Sequence, residues 1–184
     1  MLDAKDLHSR HPTPEAAADL ERAQLEWALR RCDVVRQRIE RDPEATDLNI
    51  TLAEAMYEMG KYEDAIEILE PALDHPEESA KAYLMQGLCL QSTNQELAAL
   101  AAFRAASLRR SVEAPSNIKL SALRHAADLS KKLGLTATCK RYLRGIIQLS
   151  PADEVAKLTL ARLEANGASD YHDQEMIGHA SSHR

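Results

Sequence analysis

The sequence predicts an all-α protein built from a repeated pair of helices, and two observations carry that reading. Ala and Leu supply 30 and 25 of the 184 residues, against seven aromatics and thirteen Gly plus Pro, a composition rich in helix formers and poor in strand formers. Gly60, Ala65, Leu69 and Ala72 are answered 34 residues later by Asn94, Ala99, Phe103 and Ala106. A third set, Gly134, Cys139, Leu143 and Ile146, follows 40 residues beyond the second, which places a six-residue insert, 114–119, within the stretch SVEAPSNIK. The length suits one compact domain.

The elements follow from apolar spacing and stop signals. Residues 1–13 read as a flexible N-terminus. In 14–45, Leu20, Trp27 and Val34 recur every seven residues with Ala16, Ala23 and Ile39 nearby, an apolar stripe of one long helix, or of a degenerate pair breaking near Leu25, that caps the first repeat. Repeat one, 46–79, pairs a helix carrying Leu48, Leu52, Ala55 and Met56 with a second opened by Tyr62, and Gly60 stands where a left-handed stop is needed. Pro76 ends that second helix. Repeat two, 80–113, spans helices from about Ser79 to Ser92 and Gln95 to Arg109; repeat three, 120–153, spans Ser116 to Leu133 and Thr136 to Leu149. Ser116 and Ser150 read as N-caps, with Pro151 in the first helical position of a C-terminal capping helix over 154–166. The segment 167–184, with little periodicity, reads as a disordered tail.

These residues resemble the tetratricopeptide repeat, whose pattern W-x2-L-G-x2-Y, then A-x3-F, A and P, is matched over roughly 46 to 153. Leu52, Gly60, Tyr62, Ala65, Leu69 and Ala72 fit in the first repeat, Tyr83, Gly87, Leu90, Ala99, Phe103 and Ala106 in the second, and Leu123, Ala127, Gly134, Leu143 and Pro151 in the third. Asn49, Gln86, Ser130 and Cys139 depart from it. The resemblance implies a right-handed α-solenoid whose first helices line a concave, partner-binding groove. Carried over residue by residue, that groove takes Asp47, Ile50, Glu54 and Tyr57, then Lys81, Leu84, Leu88 and Gln91, then Ser121, Arg124, Asp128 and Lys131. The 50-54-57 and 84-88-91 spacings put each set on one helix face. The Lys and Asn with which relatives clamp the acidic tail of heat-shock chaperones are replaced by Ile50 and Glu54. An apolar peptide, or the chain's own termini, is the occupant these residues suit.

Enzyme chemistry has no carrier here: none of the common phosphate-loop, dinucleotide, zinc-protease or hydrolase motifs occurs. The function expected is a non-enzymatic interaction module, acting as adaptor, scaffold or chaperone, without cofactor or metal. Cys32, Cys89 and Cys139 are odd in number and widely spaced, which suits core packing in a reducing cytoplasm rather than disulfides or zinc. His172, His179 and His183 lie in the tail and imply no preformed metal geometry. No apolar run is long enough for a membrane span, and MLDAKDLHSR has no apolar signal core; both favour a cytoplasmic location. Residues 46–79 hold ten acidic groups against one basic, while 120–153 hold six basic against two acidic. That asymmetry makes self-association through the acidic and basic ends a second reading, and without aromatic interleaving the basic residues do not make a nucleic-acid surface. A third reading rests on layout: an N-terminal helix, three repeats and a C-terminal helix look like the translocator chaperones of bacterial type III secretion.

Overall fold

The computed structural model describes residues 14–109 and 115–166. Expectations that fall on 1–13, on 110–114 and on the tail 167–184 with its histidines lie outside the described residues. Eight helices and no strand occur among the described residues. They are α1 (Pro14–Arg41), α2 (Thr46–Glu58), α3 (Tyr62–Leu73), α4 (Ser79–Ser92), α5 (Glu96–Leu108), α6 (Pro115–Lys132), α7 (Thr136–Leu149) and α8 (154–166). The chain divides into two compact units, ending and beginning at Glu78 and Ser79, where the sequence suggested one domain. The division falls at a repeat boundary, which is natural for a chain whose repeats share contacts only with their neighbours.

The repeat is visible in the backbone itself. Each helix pair turns through one left-handed residue: Gly60 at φ 73°, Asn94 at φ 59° and Gly134 at φ 71°. The hydrogen bonds repeat with it. Lys61, Gln95 and Leu135 donate their N–H to the carbonyls of Met56, Leu90 and Ser130 at 2.9, 2.9 and 2.8 Å, and the left-handed residues donate to Tyr57, Gln91 and Lys131. This six-to-one and five-to-two pattern satisfies carbonyls that the helix end would otherwise orphan.

In the first unit α2 touches both α1 and α3. The tract 14–41 is one uninterrupted helix, with no break near Leu25. Its buried stripe is Ala28, Cys32 and Val35, whereas Leu20, Trp27 and Val34 stay 59, 58 and 56% exposed. The sequence reading is corrected here: small side chains let α1 approach α2 closely, and the bulky heptad positions point elsewhere. Arg31 on α1 spans to α2, its guanidinium reaching Glu54 at 2.8 Å and Glu58 at 3.1 Å.

In the second unit the core gathers Ala99, Phe103, Leu123, Ala126, Ala127, Leu129, Cys139, Tyr142, Leu143, Ile146 and Ala156. Gly87 on α4 faces Phe103 so closely that an added Cβ would lie 2.5 Å from the ring. Five of the six residues inserted before repeat three are helical, lengthening α6 at its N-terminus to 18 residues, so they are not a separate connector and Ser116 lies inside the helix. The last helix is capped by Asp153, whose Oδ1 accepts the Ala156 N–H at 3.0 Å. Ser150 and Pro151 belong to the preceding turn.

Candidate functional site

The positions assigned to a groove fare differently in the two units. Asp47 is exposed in the first turn of α2. Ile50 is fully buried, on the same α2 face as Glu54 one turn later, and Glu54 is held by Arg31. In that unit the N-terminal helix therefore occupies the face that the sequence assigned to a partner. Tyr57 is half-buried and its ring meets that of Tyr62 at 5.2 Å.

In the second unit Lys81 and Gln91 are half-buried, and Leu84 and Leu88 pack against the core cluster. The two leucines are thus partly structural, because their alternation with buried Met85 and Cys89 leaves them only half outside. Ser121 is half-buried, but Arg124, Asp128 and Lys131 are exposed and come together along one cleft. That cleft, about 490 Å³ in volume, runs between α6 and α8 over α7.

Its chemistry is layered. Ala127, Cys139, Leu143, Ile146 and Ala156 form a buried apolar floor, with Val155 at 76% exposure beside it. Above them lie Arg124, Asp128 and Lys131 from α6 and Asp153 and Thr159 from the α8 side. Arg124 donates to Asp153 at 2.8 Å, tying α6 to the start of α8. That hydrogen bond, with the backbone N–H of Ala156, holds the Asp153 carboxyl below its ordinary range. Lys131 and Asp128 make no ion pair among the described residues, so one cation and one anion stay free at the rim.

The Cys139 thiol at the floor is 1% exposed, and burial pushes its pKa up, which keeps it protonated rather than nucleophilic. Cys32 is raised by burial in the same way. No group of three His, Cys, Asp or Glu side chains placed to hold a metal occurs among the described residues, and none of the described helices is long and apolar enough to cross a membrane. The residues from α8 that complete the cleft were missed by sequence reasoning, although Ser150 and Pro151 had marked a helix start there.

Comparison with known proteins agrees with this architecture. The tetratricopeptide repeat family model matches residues 13–89, so the match takes in α1 as well as the first repeat. A solved structure described as MamA superposes with a TM-score of 0.59 at 19% identity, covering 76% of this chain and 78% of that one. No curated protein matches the chain. The three equivalent helix turns, the family match over 13–89 and the shared fold agree on an all-α helical-repeat fold, and the matched residues are similar to tetratricopeptide repeats.

Proposed function

We propose that the chain is a non-enzymatic interaction module and that the cleft over α7 is where it takes an apolar side chain of a partner's peptide segment. The observation that supports this most is the convergence of Arg124, Asp128 and Lys131, three groove positions read from sequence, on one cleft with an apolar floor. Burial of one or two partner side chains there supplies about 1.5–3 kcal/mol each. Asp128 and Lys131 fix the segment's direction, because a charged rim adds specificity more than affinity. As adaptor, scaffold or chaperone the recognition chemistry is the same, and the identity of the partner decides among these roles.

The test is selection of binding peptides from a displayed library, followed by affinity measurement against wild type and Val155→Arg. Val155 is exposed, so the substitution leaves helix content and melting unchanged while its guanidinium crowds the cleft. Selected peptides should share an apolar anchor and lose about tenfold or more in affinity, equivalent to about 1.4 kcal/mol. Equal affinity for the two forms, or no selected peptide, would contradict the assignment.

A further inference from the structure

A second cleft in the same unit has a different character. It lies between α5, α6 and α7, encloses about 350 Å³, and is lined by Arg104, Lys119 and Arg141 with Leu108, Leu123, Tyr142, Gly145 and Leu149 among the rest. No carboxylate occurs among its described lining residues. None of the three cations makes an ion pair among the described residues; Arg141 only lies over the Tyr142 ring at 5.4 Å. Leu108 is 74% exposed at its edge, while Leu123 and Tyr142 form a buried floor. Its volume seats a few side chains, not a helix.

The first unit carries the complementary surface. On α3, Glu63, Glu67 and Glu70 recur at i, i+4 and i+7, and Asp64 is beside them; all four are exposed and none has an ion-pair partner among the described residues. Ile66, three residues after Glu63 and four before Glu70, shares that face and is half-exposed. A row of carboxylates around one apolar side chain matches a rim of cations around an apolar floor.

We propose that the cleft between α5, α6 and α7 is docked by α3 of a second copy, Glu63, Glu67 and Glu70 meeting Arg104, Lys119 and Arg141 while Ile66 enters between them. Each copy carries both surfaces, one in each unit. The contact is therefore heterologous. This association is independent of the peptide cleft over α7, since it uses none of that cleft's residues.

Sedimentation velocity on the full chain tests it, at about 50 mM and about 500 mM salt, a range over which the screening length falls by roughly threefold. Wild type should grow in mass with concentration at low salt and revert to monomer at high salt. Arg104→Glu/Arg141→Glu and, separately, Glu63→Lys/Glu67→Lys should each remain monomeric with native helix content. The four substitutions in one chain should restore association, which a fold defect or an unrelated contact would not do. A monomeric wild type at every concentration would overturn the proposal, as would association that survives either reversal alone or stays lost in the combined chain.

Discussion

Phe103 shows how much a single residue's surroundings decide in this fold. Its ring is fully buried, stacked on His125 at 5.0 Å and 17°, and lies close against Gly87. Gly87→Ala gains up to about 1 kcal/mol of helix propensity. It also forces a Cβ to 2.5 Å from a ring that has nowhere to retreat, and overpacking costs about 1–3 kcal/mol. The second effect prevails, so Gly87→Ala should lower stability by about 1–2 kcal/mol in urea unfolding. His125 adds a pH dependence. Burial holds its pKa below the ordinary 6.5, against a smaller raising effect from Asp128. The folded chain thus binds fewer protons than the unfolded one below 6.5, and the stability from neutral His125 is full above that value and is lost as pH falls through it towards the lower folded pKa. Wild type should lose more stability than His125→Gln between about pH 7.5 and pH 5. Asp153, whose carboxyl is also held low, loses its contribution at still lower pH in both forms, so the comparison isolates the histidine.

Among the elements, α1 departs furthest from what its sequence suggested. Leu20, Trp27 and Val34 are its largest apolar residues and share a seven-residue spacing, yet Ala28, Cys32 and Val35 are the ones buried. Size and periodicity identify an apolar stripe; they do not say which stripe a neighbouring helix can approach most closely, and small residues allow the closer approach. Cys32→Arg should therefore strip α1 from α2 and cost about 3 kcal/mol or more through an unpaired buried charge. Trp27→Ala should cost less than about 1 kcal/mol, because the side chain is more than half exposed and holds Arg31 only 5.2 Å from the ring. Equal losses in the two variants would show the assignment of faces to be wrong. The turns were legible because a left-handed residue leaves a mark in residue type, as Gly60, Asn94 and Gly134 do. The cap of α8 was not, since Ser150 and Asp153 are both good capping residues and only the hydrogen bond to Ala156 selects between them.

At the scale of the whole molecule, helix pairing and repeat spacing were readable from sequence, while the function of each exposed face was readable only in part. Spacing placed Ile50 and Glu54 on one face of α2, but nothing local announced that Arg31, more than twenty residues earlier, would hold that face to α1. For Arg124, Asp128 and Lys131 the same spacing argument led to exposed positions lining a cleft, because α8 packs beside them and leaves an open channel over α7. The acidic excess of 46–79 includes the exposed carboxylates of α3, whereas of the basic residues of 120–153 only Arg141 lines the cleft between α5, α6 and α7, whose other two cations, Arg104 and Lys119, come from outside that stretch. The central claim concerns the peptide cleft, and chemical-shift mapping with a library-selected peptide tests it most directly. Methyl and amide signals of Ala127, Leu143, Ile146, Val155 and Ala156 should move together on titration, with Lys131 at the edge. Perturbations centred on Leu84 and Leu88, or on α1, with those signals unmoved, would contradict it.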